Sequence, residues 1–255
     1  MILTDTHAHL YLEEFKDDLS FVIQRAADNG IKNIFLPNID NTTVEEMMNV
    51  CKLFPETCFP MIGLHPTSVK EDFQEQLNQM KQWLDREKFV GIGEIGIDLY
   101  WDKTFLHEQE IVFREQLSWA LQFNLPAIIH MRKSFDQIYK IIREFKNTGL
   151  HGIFHCYGGT EIQAKQILEL GFKIGIGGVV TYKNSGLEKI IAELDISDLV
   201  LETDSPYLSP VPLRGKRNES ANILLIAKKI AEIKNISVEE VAEKTTATAL
   251  QLFQI

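Results

Sequence analysis

The sequence is poor in cysteine and in basic charge, and both shortages narrow the class of protein. Its three cysteines, Cys51, Cys58 and Cys156, are too few for a disulfide framework and lack the paired spacing of a zinc site. An odd number of thiols is typical of a reducing compartment, which predicts a cytoplasmic protein. The net charge of −10 argues against an extended nucleic-acid-binding surface, because such a surface neutralises many phosphates with Lys and Arg. It is compatible with a small site in which metal ions supply the positive charge.

Long apolar runs and glycine-rich nucleotide loops are also lacking. No stretch approaches the roughly 18 apolar residues of a membrane span. Because Asp5, His7 and His9 interrupt the N-terminal apolar segment, no signal peptide is expected. The glycine-rich match at 91–96 lies in and beyond a strand-like run and leads into a loop. It does not predict a dinucleotide site, which places such glycines where a strand enters a helix.

What the sequence contains is a repeated alternation of short apolar runs and helical stretches. Eight runs, from 2–6 to 199–204, are separated by stretches with helical spacing such as 106–123, and helices over 221–234 and 238–253 end the chain. Strands that alternate with helices form parallel sheets. Eight of them predict a (β/α)8 TIM barrel with an additional C-terminal helix, in a single domain over 1–255. The alternative is a doubly wound open sheet, which usually carries the phosphate loop that is missing here.

Potential metal ligands are concentrated where the predicted strands end. His7 and His9 are two residues apart, so in an extended strand their imidazoles point to the same side. In a TIM barrel the C-terminal ends of the strands meet at one mouth, where active sites lie. Six residues at such strand ends are the candidate metal ligands: His7, His9, Glu94, His130, His155 and Asp204. For any one histidine, a hydrogen-bonding strand end is the alternative role.

Four imidazoles and two carboxylates suit two cations rather than one. We expect Glu94, on a central strand, to bridge the two metals. Asp204 would bind one metal and accept the proton of the attacking water, so that Glu94 and Asp204 are the catalytic carboxylates. Glu202 shares the parity of Asp204 and is expected to orient a ligand histidine. Asp98 follows Glu94 and could also touch the site.

Residues near the same mouth are candidate substrate contacts. His65 ends the third run and is a better candidate for a substrate or supporting contact than for a metal ligand. Arg132, Lys216 and Arg217 are candidate phosphate contacts, although a solvated basic loop is the alternative. Tyr157 could stack on a base, with packing at the rim as its alternative role.

These residues lie in segments that resemble the TatD family of metal-dependent deoxyribonucleases, which are amidohydrolase-like TIM barrels. The segments are 5–10 (DTHAHL), 63–66 (GLHP), 93–98 (GEIGID), 130–132 (HMR), 155–159 (HCYGG), 201–207 (LETDSPY) and 214–219 (RGKRNE). The order and spacing of the set cover nearly the whole chain. Two positions depart from the family's pattern: Ala8, where the family often has cysteine, and Thr67, where it often has a second histidine.

The resemblance implies a division of the ligands between two metals. One metal would be held by His7, His9, Glu94 and Asp204, and the other by Glu94, His130 and His155. It also implies two divalent ions (Mg, Mn or Zn) and a 3′-to-5′ exonuclease activity. Thr67 implies that a substrate contact is missing or altered.

The leading hypothesis is therefore a two-metal phosphodiesterase that removes nucleotides from DNA, with single-stranded 3′ ends as the expected substrate. No membrane contact and no obligate protein partner are expected. The first alternative is an amidohydrolase-like C–N or ester hydrolase, for example an aminoacyl-tRNA deacylase, because the fold alone does not select a substrate. The second is a non-catalytic metal- or nucleic-acid-binding module, which a six-ligand set argues against.

Overall fold

A computed structural model describes residues 1–255, and its eight strands lie in one sheet in the order β1 to β8. Each strand pairs in parallel with the next. The strands are β1 Leu3–Asp5, β2 Ile31–Pro37, β3 Cys58–Ile62, β4 Gly91–Asp98, β5 Ala127–Arg132, β6 Gly152–Phe154, β7 Phe172–Ile176 and β8 Leu199–Leu201. The predicted (β/α)8 TIM barrel is confirmed.

The helices alternate with the strands and surround them. They are α1 Leu19–Asp28, α2 Val44–Leu53, α3 Phe73–Arg86, α4 Leu106–Phe123, α5 Phe135–Glu144, α6 Glu161–Leu168, α7 Leu187–Glu193, α8 Ile223–Lys234 and α9 Val238–Phe253. The expected additional C-terminal helix is α9, and the Ser237 hydroxyl caps it by accepting from the Glu240 backbone N–H at 3.0 Å. No helix is both long and apolar enough to cross a membrane.

The barrel interior is an apolar layer that α9 covers. Phe35, Met61 and Ile128 come from β2, β3 and β5, and all three are fully buried. Phe253 of α9 stacks on Phe35 with ring centroids 3.7 Å apart. Because the interior is filled in this way, the polar chemistry is confined to the residues at the strand ends.

Between β1 and β8 a short seam replaces a regular ladder. The Thr6 backbone N–H donates to the Leu201 carbonyl at 3.0 Å, and the Asp204 N–H donates to the His7 carbonyl at 2.8 Å. These bonds fix the height of the first strand against the last. They thereby bring Asp204, the last of the predicted ligands in the sequence, to the same level of the barrel as His7, the first.

Some local boundaries differ from the sequence-based expectations. Helix α7 was not predicted, and it follows Gly186, whose φ of 75° lies in the left-handed region. The chain forms a 3₁₀ turn at Glu13–Phe15 before α1, which therefore begins at Leu19 rather than near residue 14. Strand β8 ends at Leu201, because the chain turns to the mouth through the seam before it reaches Asp204.

Thr203→Val should weaken the closure of the barrel. The fully buried Asp5 carboxylate accepts from the Thr203 hydroxyl at 2.7 Å and from its backbone N–H at 2.9 Å. Burial raises the pKa of Asp5 to about 7. Losing the hydroxyl leaves a buried oxygen of this acid group without its partner, which should lower the free energy of unfolding by about 2 kcal/mol, measured by urea denaturation. The control is Thr245→Val, a buried threonine whose hydroxyl bonds a helix carbonyl. Equal losses in the two variants would contradict the role of Asp5 in the seam.

Candidate metal centre

The six predicted ligand residues come together at the C-terminal ends of the strands, around the Glu94 carboxylate. Glu94 is 3% exposed. Its Oε2 lies 3.1 Å from His7 Nε2 and 3.6 Å from His9 Nε2. Its Oε1 lies 2.7 Å from His130 Nδ1 and 2.8 Å from His155 Nε2. Each carboxylate oxygen therefore faces its own group of imidazoles.

The group on Oε2 has the dimensions of a metal site. His7 Nε2 and His9 Nε2 are 3.2 Å apart, and Asp204 Oδ1 lies 3.8 Å and 3.6 Å from them. A tetrahedral ion with bonds of about 2.1 Å requires ligand–ligand distances of about 3.4 Å. The distances from Glu94, 3.1 Å and 3.6 Å, also bracket this value. The donor set thus fits a divalent cation.

The group on Oε1 includes a third imidazole, His65, whose Nε2 lies 3.3 Å from both Glu94 Oε1 and His130 Nδ1. The Thr67 backbone N–H donates to His65 Nδ1 at 3.1 Å. A neutral imidazole that accepts at Nδ1 carries its proton on Nε2. His65 therefore presents an N–H donor to the centre, although its position beside Glu94 and His130 is also within the dimensions of a metal site. The predicted ligands on this side, Glu94, His130 and His155, remain a prediction.

His9 has the opposite tautomer, with its proton on Nδ1, because of its hydrogen bond with Tyr11. The Tyr11 hydroxyl donates its only proton to the Pro37 carbonyl at 2.6 Å, so it must accept from His9 Nδ1–H at 2.8 Å. The lone pair of His9 is then on Nε2, the atom that faces Asp204 and Glu94. Burial, with the facing carboxylates adding to it, raises the pKa of Tyr11 and keeps it protonated.

Two carboxylates lie behind the other imidazoles. Asp98 Oδ2 accepts from His130 Nε2 at 2.9 Å, which leaves Nδ1 for a metal. Glu202, fully buried, places Oε1 3.7 Å from His155 Nδ1 and accepts the Cys156 backbone N–H. A carboxylate behind a ligand imidazole is a common orienting arrangement. The structure places Asp98 in it at hydrogen-bond distance, and Glu202 lies slightly beyond that distance.

Burial and charge act in opposite directions on the ionisable groups. Burial raises the pKa of Glu94, but the facing His155, His65 and His7 outweigh it and hold that pKa well below its usual range. Burial, reinforced by His155, lowers the pKa of His7. In His130 and His155 burial lowers the pKa, but the facing carboxylates outweigh it and raise the pKa. Because a metal binds the neutral imidazole, a cation at these two residues would displace a proton.

Asp204 is held in a strained backbone conformation. Its φ of 56° lies in the left-handed region, which costs a non-glycine residue about 1 kcal/mol or more. Its side chain is 15% exposed, compared with 4% for Glu94. Of these two carboxylates, Asp204 is thus the more accessible from the mouth.

Two of the predicted substrate contacts need correction. Tyr157 is 2% exposed and its hydroxyl donates to the Thr160 carbonyl at 2.5 Å, so the ring packs inside the rim and is closed to a base. Arg217 donates to both oxygens of Asp18, at 2.7 Å each, and its guanidinium is therefore committed to the loop. Neither side chain is presented to a substrate.

Arg132 and Lys216 remain available. Arg132 is exposed at the end of β5, and its guanidinium lies over the Tyr100 ring rather than against a carboxylate. Lys216 is exposed in the loop after β8 and is likewise free of an ion pair. Among the predicted substrate contacts, these two have charged donors that no carboxylate occupies, whereas His65 Nε2–H already faces Glu94 Oε1 at 3.3 Å.

Sequence reasoning overlooked Asp5, Tyr11 and the acceptor role of His65 Nδ1. Asp5 and Tyr11 share the parity of His7 and His9, which is the only local signal they carry. Their partners, Thr203 and Pro37, lie 198 and 26 residues away. Their roles depend on how distant strands are placed.

A TIM barrel with histidines and carboxylates converging at its mouth is the architecture of a metal-dependent hydrolase. The model of the family described as TatD related DNase matches residues 4–254. The uncharacterized metal-dependent hydrolase YabD of Bacillus subtilis strain 168 is 37% identical over 255 residues, covering 100% of both chains. YcfH of Escherichia coli K12, which carries the same description, is 31% identical over 100% of this chain and 97% of its own.

A solved structure gives the same result. The TatD homologue YjjV of Escherichia coli K12 superposes with a TM-score of 0.93, at 28% identity, over 99% of this chain and 98% of its own. The chain belongs to the TatD family of metal-dependent hydrolases. The resemblance seen in the sequence motifs is confirmed.

Tyr11→Phe should weaken metal binding without removing a ligand. The loss of the acceptor for His9 Nδ1–H frees the ring to change tautomer, and the loss of such a supporting contact reduces metal affinity by about 10- to 100-fold. Titration calorimetry with Zn²⁺ or Mn²⁺ measures the change. Tyr139→Phe is the matched control, because the Tyr139 hydroxyl on α5 has no hydrogen-bond partner among the side chains. Unchanged affinity in Tyr11→Phe would show that Tyr11 does not set the tautomer.

Proposed function

We propose that this protein is a two-metal phosphodiesterase that acts as a 3′-to-5′ exodeoxyribonuclease. The observation that carries the proposal is the Glu94 carboxylate, whose two oxygens face two separate donor groups. Together with Asp204 and the surrounding histidines, this carboxylate would hold a pair of divalent ions (Mg, Mn or Zn). When bound, a metal pair supplies Lewis-acid activation of water and of the phosphoryl oxygens.

Asp204 is suited to receive the proton of the attacking water. Its Oδ1 belongs to the donor group of His7 and His9, and its Oδ2 has no protein partner. Burial raises the pKa of Asp204, but His9, His155 and His7 outweigh it and lower that pKa, so Asp204 is a carboxylate at neutral pH. A general base must be ionised and within reach of the proton, and Asp204 meets both conditions.

The donors at the mouth are suited to a phosphate. His65 directs Nε2–H at the centre, next to the Glu94 oxygen that His130 and His155 share. Arg132 adds a guanidinium without a carboxylate partner at the end of β5. These groups supply charge and hydrogen bonds to a single phosphate, which is what an end-acting enzyme with a net charge of −10 requires.

The same cluster could serve ester or C–N hydrolysis, because its ligands do not select the scissile bond. The free cations at the rim support the phosphodiester substrate over a neutral amide. Assays of the same preparation on an aminoacyl-tRNA ester provide the comparison. Turnover of the ester with DNA left intact would favour that alternative.

Single-stranded DNA labelled at its 5′ end is the direct test. With Mg²⁺ or Mn²⁺ the protein should produce a ladder of shortened labelled products, whereas a 5′-to-3′ enzyme would release the label at once. Asp204→Asn should lower kcat by at least about 100-fold, because it removes both a ligand and the proton acceptor. Asp28→Asn, an exposed aspartate at the end of α1, should match the wild type. Absence of products, or equal rates for Asp204→Asn and the wild type, would refute the nuclease.

A further inference from the structure

The loop after β4 carries two large aromatic side chains into solvent. Tyr100 is 52% exposed and Trp101 is 70% exposed, whereas Trp119 is 3% exposed. The two rings are adjacent, so they form one contiguous exposed patch rather than two scattered side chains, and a patch of this kind is a candidate binding site. Their position at the end of the strand that carries Glu94 places them at the rim of the metal centre.

One carboxylate links this loop to the centre. Asp98 Oδ1 accepts the Tyr100 backbone N–H at 2.8 Å and the Trp101 N–H at 3.4 Å, while its Oδ2 accepts from His130 Nε2 at 2.9 Å. The position of the aromatic pair is therefore coupled to a metal ligand through a single side chain. Such support keeps a binding surface in register with the reacting group.

The rings form a corner that includes Arg132. Tyr100 and Trp101 meet edge to face, with centroids 4.8 Å apart and planes at 89°. The Arg132 guanidinium lies 4.0 Å from the Tyr100 centroid and 5.2 Å from that of Trp101. The cation is held by the rings rather than by a carboxylate, so its N–H donors are free for an anion.

We propose a subsite in which Trp101 stacks on one unpaired nucleobase, with the perpendicular Tyr100 ring closing the corner at the edge of the base and Arg132 binding the phosphate of the same nucleotide. Every base has a π-face, so stacking is tolerant of sequence. A base inside a duplex already has both faces covered, which restricts the subsite to unpaired ends. The inference rests on the proposed phosphodiesterase function, and it supplies a surface that would select the single-stranded ends expected as substrate. Stacking also provides affinity that an acidic protein cannot obtain from charge.

Binding is measured by fluorescence anisotropy of a 5′-labelled thymidine octanucleotide with phosphorothioate 3′ linkages, using the Mg²⁺-loaded protein. Trp101→Ala should raise Kd about tenfold, which lies in the lower part of the range that one stacked base contributes. Trp101→Phe, which keeps a ring, should recover most of the affinity. Phe21→Ala is the control, since Phe21 is 69% exposed but lies on α1, and it should bind as the wild type does.

An abasic substitution separates stacking from a general effect of the variant. Replacing the last or the penultimate base by an abasic site should weaken wild-type binding about tenfold at one of the two positions. Trp101→Ala should lose nothing further there. A blunt duplex should bind weakly and independently of Trp101. Equal Kd values for Trp101→Ala and the wild type, or losses that simply add, would overturn the subsite.

Hydrolysis of an unblocked octanucleotide distinguishes this inference from the proposed function. If the protein binds the oligonucleotide through Trp101 but cleaves no phosphodiester, the subsite stands and the nuclease proposal fails. If it cleaves the oligonucleotide and Trp101→Ala has the kcat/KM of the wild type, the nuclease stands and the subsite fails. With both correct, Trp101→Ala should raise KM about tenfold and change kcat by less than about twofold.

Discussion

The arrangement of the strand ends depends on how the negative charge of one buried carboxylate, Glu94, is compensated. Glu94 is 3% exposed at the end of β4, and an uncompensated carboxylate at such a position costs several kcal/mol. It can be accommodated only if positive charge or strong donors meet both of its oxygens. Imidazoles from four other strand ends surround them, which requires those strands to end at the same height. His65 presents a proton to Glu94, whereas His9 and His130 present lone pairs. The register of the strands and the cluster of side chains around Glu94 therefore depend on each other. A bound cation would compensate the Glu94 charge more fully than the imidazoles alone.

The surrounding contacts divide the histidines into two kinds. Tyr11 leaves the lone pair of His9 on the atom that faces the centre, and Asp98 does the same for His130. Thr67 has the opposite effect on His65, whose proton then faces the centre. Identical side chains thus present either a lone pair or a proton to the centre, according to a single hydrogen bond on the far side of the ring. Thr67, where the family often has a second histidine, is thus the residue whose backbone N–H sets the tautomer of His65.

The distribution of charge at the rim follows a similar logic. Arg217 is bound to Asp18, just before α1, and Arg25 of α1 is bound to Glu219. These ion pairs join the loop after β8 to the N-terminal part of the chain. Arg132 is held by aromatic rings instead and keeps its donors free. In an acidic protein, a cation is available to a ligand only where no carboxylate reaches it. Proximity to the mouth in sequence therefore does not identify a substrate contact.

The sequence by itself determined the alternation of strands and helices, the limits of α4, β7 and α9, and the placement of potential ligands at strand ends. These features arise from periodicity and capping within a few residues, which is why they can be read locally. Only the tertiary structure decided that Tyr157 is buried, that Arg217 pairs with Asp18 across 199 residues, and that Asp5 meets Thr203 across 198. It also decided which imidazole nitrogen faces the centre. The reason is physical: a tautomer, an ion pair or a buried carboxylate depends on the partner that barrel closure brings into contact, and that partner leaves no trace in the neighbouring sequence.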